Sequence, residues 1–175
     1  MLDQLQVTAD TPALLAELIR EQMGIPSKPV RVLVYNSAWE LPTVDDLFVI
    51  IGVQSDDNFG STDALVQDPV TGALTNQQGL ERATVYTVDL LSVTTEARRR
   101  RHEVLFALQG EAAQSLSEQY GLRIFRPSQF MDLSEIEGPR RMNRFQTQFT
   151  VFEGYGQVRP VPSMTTSGPR TEIQP

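Results

Sequence analysis

Apolar residues in this chain fall into two rhythms. Over residues 10–24, DTPALLAELIREQMG, Leu14, Leu15, Leu18, Ile19 and Met23 recur at helical spacing, so they share one stripe of an α-helix. Asp10 or Thr11 suits its cap, Pro12 its first turn and Gly24 its stop. The second rhythm is alternation. In NRFQTQFTVFE (143–153), Phe145, Thr147, Phe149 and Val151 alternate with Gln146, Gln148, Thr150 and Phe152, which predicts an antiparallel strand with one buried and one wetter face. ATVYTVDLLSV (83–93) behaves alike, with Val85, Thr87, Asp89 and Leu91 on one side and Tyr86, Val88 and Leu90 on the other. RVLVY (31–35), DDLFVIIGV (45–53) and LRIFR (122–126) are compact β-rich runs ended by turn formers and read as short strands.

Helical spacing returns at roughly 96–120, behind Thr94 or Thr95 as a cap. Val104, Leu105, Leu108, Ala112 and Leu116 form its stripe and Gly121 closes it. Residues 54–82 are dense in Asp, Asn, Gly and Gln. They read as a long loop with room for a small hairpin around Pro69–Gly72, and a loop of that length is usually a working part of the surface. Residues 128–142 read as a connection. The stretch after 157 holds Pro160, Pro162, Pro169 and Pro175 and few large apolar side chains, so it cannot build a core. The expectation is an α+β fold: a mostly antiparallel sheet packed with two helices, in the order α-β-β-loop-β-α-β-β. One domain spans 1–157, with the loop at 54–82, and an extended Pro-rich arm occupies 158–175.

Composition narrows the chemistry. Cysteine is absent, which removes disulfides and thiolate nucleophiles or ligands. His102 is the single histidine and Lys28 the single lysine, against the usual needs of zinc clusters, Schiff bases and P-loop phosphate binding. Net charge is −7, which opposes non-specific nucleic-acid binding. No apolar run is long enough for a membrane helix, and the N-terminus lacks the basic start of a signal peptide. A cytoplasmic site of synthesis and use is expected, with no cofactor and no metal. Asp45, Asp46, Asp56 and Asp57 flank a strand and could hold a divalent metal for hydrolysis, but aspartate at strand ends more often shapes turns.

Charge is distributed unevenly. Arg98, Arg99, Arg100 and Arg101 crowd the first turns of the 96–120 helix, where cations oppose the helix dipole at about 0.3–1 kcal/mol each. At about 100° per residue they spread around the helix instead of making one patch. Arg101 flanks the apolar stripe, where its stem can snorkel. The run could be a solvated basic stretch, a subunit interface or a nucleic-acid contact. His102 has no nucleophile near it in sequence.

Order and texture together resemble the tail-terminator and neck-ring proteins of tailed bacteriophages. The likeness covers roughly 10–157 and rests on TPALLAELIREQMG, RVLVYN, DDLFVIIGV, ATVYTVDLLSV running into EARRRRHEVLFALQGE, YGLRIF, and RRMNRFQTQFTVFE. It implies a structural virion protein with no catalytic centre, assembled in host cytoplasm. Such proteins form a ring, typically of six, at the head-proximal end of the tail. The ring ends the tail tube, joins it to the head connector and leaves a channel for DNA; the acidic balance would keep that DNA from sticking. Implied partners are other copies of the chain, tail tube and sheath proteins, and neck or connector proteins, with no membrane. Arg98–Arg101, Arg140, Arg141, Arg159, Pro160 and Pro162 are the expected subunit or partner contacts. A non-ring binding module gripping its partner through 54–82 is the other reading from these residues.

Overall fold

The computed structural model describes residues 10–27, 32–34, 46–137 and 140–161. The chain folds as an α+β protein on a mostly antiparallel sheet. Its elements are α1 (Thr11–Gln22), β1 (Val32–Val34), β2 (Phe48–Gln67), β3 (Leu74–Ser92), α2 (Glu96–Gln109), α3 (Glu111–Tyr120), β4 (Arg123–Ile124), β5 (Met131–Asp132), β6 (Glu135–Glu137) and β7 (Arg140–Pro160). Strand order across the sheet is β1-β2-β3-β7-β4, and β5 and β6 also pair with β7. Among the described strands only the β1–β2 pair is parallel.

The core lies between one face of this sheet and the helices. Strand register lines up Val49, Leu90 and Phe145 in one row, Ile51, Val88 and Thr147 in the next, then Tyr86 with Phe149. All eight are buried. Leu15, Leu18, Ile19 and Met23 from α1, and Ala97, Val104, Ala107 and Leu108 from α2, complete the same cluster. Each large side chain removed from water here contributes about 1.5–3 kcal/mol. The alternation in β7 therefore falls as expected, with Phe145, Thr147, Phe149 and Val151 buried, and in β3 the buried side is that of Tyr86, Val88 and Leu90. On the other face Asp89, only 8 % exposed, accepts hydrogen bonds from Arg144 Nε at 2.8 Å and Gln146 Nε2 at 3.1 Å. A buried carboxylate needs such partners.

Gly24 and Gly121 end α1 and α3 with φ of 60° and 66°, the left-handed turn that favours glycine. The helix expected over 96–120 is two helices. Gly110 sits between them with extended backbone, φ −79° and ψ 177°, ending α2 and starting α3. Its N–H donates to Phe106 O at 2.8 Å. A Cβ there would stand 2.7 Å from that same oxygen, so the tight break needs glycine at this point.

The largest correction concerns 54–82. These residues are not a loop: apart from the turn at 68–73 they are the outer halves of β2 and β3, paired continuously out to Gln67 and Leu74. β7 follows β3 along the same path as far as Pro160, opposite Thr75. The hairpin foreseen at Pro69–Gly72 is the tip of a three-stranded arm. From Val53 onward every residue of β2 is exposed except half-buried Gly60. Neither face of a strand like that is dry, so it carries no alternating pattern to read. The connection at 128–142 likewise holds β5, β6 and the start of β7. Val158, Arg159 and Pro160, expected in the C-terminal arm, belong to β7; residues 162–175 lie outside the described ones.

Candidate interaction surfaces

Three features of the surface stand out: the arginine helix, a groove beside it, and the projecting arm. The arginines divide. Arg100 pairs with Glu103, with Nη2 2.6 Å from the carboxylate, and also donates to Met23 O at the end of α1. It therefore ties α2 to the last turn of α1, whose free carbonyls attract cations. The Glu103 carboxylate raises the pKa of its guanidinium further. Arg101 lies over the Phe145 ring, 5.0 Å from the centroid, in the place its snorkelling stem predicted. Arg99 pairs with Glu96 at 2.9 Å on the surface, a contact of about 0.2–1 kcal/mol. Arg98 points into solvent. Two of the four thus serve the subunit's own fold, and Arg98 and Arg99 are left facing outward.

The other expected contact residues are scattered. Arg140 and Arg141 open β7, opposite Glu137 and Ile136 of β6. Arg159 is exposed near the far end of β7, donating to Gln157 Oε1 at 3.0 Å, and Pro160 closes that strand. Pro162 lies outside the described residues.

Beside α2 runs a groove of about 740 Å³ between the helix and residues 126–130. Leu105, Phe106 and Phe130 give it an apolar lining, Arg101, His102 and Arg126 give it positive or polar groups, and no carboxylate lines it. Phe106 is 76 % exposed, though it sits mid-helix among good core formers. His102 meets Phe130 edge-on with centroids 6.4 Å apart. A smaller hollow of about 420 Å³ continues the groove past Gln109 and Arg126 along α3.

The arm has a stiff root and a stiff tip. At the root, Glu153 is 4 % exposed and accepts hydrogen bonds from Tyr155 and from Tyr86, the latter at 3.4 Å. Arg82 pairs with Asp56 and reaches Tyr155 at 3.5 Å. Burial pushes the Tyr86 phenol well above its ordinary pKa, and the adjacent Glu153 carboxylate adds to the shift. Tyr155 is raised for the same two reasons. On the opposite face Phe59, Phe152 and Phe125 form a chain of rings with centroids 4.9 and 4.6 Å apart. Phe59 sits at the register shift between Asn58 and Gly60, and Phe152 pairs with Ala83, whose small side chain leaves room between the strands.

At the tip Asp68 Oδ1 accepts the N–H groups of Val70 at 2.7 Å and Thr71 at 3.1 Å. Those two backbone donors hold its carboxyl below the ordinary value, and Gly72 at φ 70° turns the chain back. The tip presents Val70, 90 % exposed, with Leu65, Val66 and Leu74 behind it. Sequence reading missed the arm, its root and the groove. The one visible signal was the Asp-Pro-x-x-Gly turn at 68–72, which is a hairpin tip only if the polar stretches on either side are strands.

The aspartates weighed as a metal site are separated. Asp56 is held by Arg82, Asp57 follows on the other face of the strand, and Asp45 lies outside the described residues. Among the described residues no three His, Cys, Asp or Glu side chains are grouped to hold a metal ion, and no helix is long and apolar enough to cross a membrane. No protein-family model matches the chain, and no curated protein sequence matches it.

Proposed function

We propose that this chain is a ring-forming structural subunit of a phage tail or neck, ending the tail tube and joining it to the head connector. The observation that carries the reading is the arm. Beyond Val53, β2 has no strand on its outer side among the described residues, since β1 pairs with Val49–Ile51. Beyond Phe152, β7 likewise has none among the described residues, since β4 pairs with Val151 and Phe152. A sheet segment without a packing layer does little for its own stability, and open edges are normally shortened or covered. An arm of this size is explained by burial against another protein. Arg98 and Arg99, left outward on a helix end that disfavours them, point the same way. The chain's net charge of −7 suits a channel that DNA must slide through.

The test is solution mass by light scattering over a concentration series, with images of the same samples, alone and with tail tubes. The expected species is a ring of about six copies, near 120 kDa for a 19.6 kDa chain. Arg98→Glu combined with Arg99→Glu should reduce the ring fraction while leaving the melting point of the monomer within a few degrees. A strict monomer at every concentration, with tubes absent or present, overturns the reading.

A further inference from the structure

We infer that the arm tip of one subunit docks into the α2 groove of a second copy of this chain. The inference rests on the ring reading above and gives it an interface. Its first support is charge. The acidic groups nearest the tip are Asp63 and Asp68, with Arg159 of β7 the cation on that part of the arm, while Asp56 at the root is held by Arg82. The groove carries the guanidinium groups of Arg101 and Arg126 and, among the described residues, no carboxylate. Opposite potentials on two surfaces of one molecule steer copies together and set their orientation.

The second support is apolar shape. The tip offers Val70, 90 % exposed, with Leu65 at 68 % behind it, and the groove offers Phe106 at 76 %. Exposed side chains of this size gather where another protein will cover them. The third is preorganisation. The Asp68–Gly72 turn is closed by its own hydrogen bonds, so seating it would order little new chain.

Geometry makes the contact intermolecular. β2 pairs with β3 from Phe48 to Gln67, with register shifts between Val53 and Ser55 and between Asn58 and Gly60, and this carries the tip about 40 Å beyond Val53 at about 3.3 Å per residue. The groove lies beside α2, over the opposite, helix-covered part of the sheet. A tip meeting a different surface on the next copy is a head-to-tail contact, and such contacts close into rings when the rotation permits.

The chain has no cysteine, which makes disulfide trapping clean. Val70→Cys and Phe106→Cys each change an exposed side chain. The two single variants are oxidised separately and as a mixture, then run without reductant. A dimer band specific to the mixture is the expected result. Arg126→Glu added to the Phe106→Cys partner should weaken that band several-fold at low salt and less at high salt. Rings seen by light scattering with no mixture-specific band, or a band from Val70→Cys alone, overturn the docking and leave the ring reading standing. No band together with a strict monomer overturns both.

Discussion

Arg100 and Arg98 are two residues apart in a run of like charges and have opposite prospects. Arg100 is fastened to Glu103 and to the Met23 carbonyl, so Arg100→Ala should cost about 1–2 kcal/mol, between a surface pair and a buried charged hydrogen bond. Arg98→Ala should change stability by less than about 0.5 kcal/mol. Urea unfolding of the two variants checks the split; equal effects would mean that α2 does not use Arg100 to hold α1. Tyr86 yields a second outcome at this scale. Its folded pKa lies above the ordinary 10.0, with burial the main cause. Below that pH both states carry the proton and nothing changes. Above it the unfolded chain releases the proton first, so stability falls as pH rises past about 10. Melting points between pH 8 and 11 should drop more steeply for the native chain than for Tyr86→Phe. His102 stands exposed beside Phe130 and Arg101 and takes no part in the core.

The elements were legible where one face is dry. The β3 and β7 alternation, the α1 stripe and the Gly24 and Gly121 stops all follow from a buried side meeting a wet one, and the structure has them. The long helix at 96–120 was read as continuous because its apolar spacing carries on through Gly110. The break comes from the close approach of Gly110 to Phe106 O, which spacing does not encode. The arm was illegible because both its faces are wet and its strands hold each other only through backbone pairing. That separation of body and arm leads to an element-scale expectation. Deleting residues 58–81 and joining Asp57 to Arg82 by a two-residue turn removes no member of the core cluster. The shortened chain should fold with a melting point within about 5 °C of the original, keep its helical signal and fail to form rings. Collapse of the fold on deletion would show that the arm supports the body instead of serving a partner.

The whole molecule combines a closed body with an open appendage. The body buries its apolar rows under α1 and α2. The arm keeps acidic and small polar residues on both sides and ends on an apolar knob. On the docking proposed above, the arm and the groove beside α2 would be two different surfaces, one given to a neighbouring copy and the other receiving from it. That asymmetry is what a ring needs, because a subunit that met its neighbours only through matching patches would stop at a dimer. The arginine run contributes less to this than its charge suggests, since Arg100 and Arg101 are occupied within the subunit.

Sequence alone determined the class of fold, the position of the first helix, the inner parts of the two central strands, the buried face of β7, and the glycines at 24 and 121 that stop the helices. Those features depend on local backbone preference and on hydrophobic period, and both are written residue by residue. Tertiary structure alone decided that 54–82 is a paired arm, that Gly110 divides a helix, that Arg100 and Arg101 turn inward while Arg98 and Arg99 do not, and that Phe106 lines a groove. Each of these depends on a neighbour distant in the chain: β7 beside β3, α1 beside α2, Phe145 beneath Arg101, residues 126–130 across from Phe106. No periodicity records a contact of that kind, because the partner's position is set only once the chain has folded.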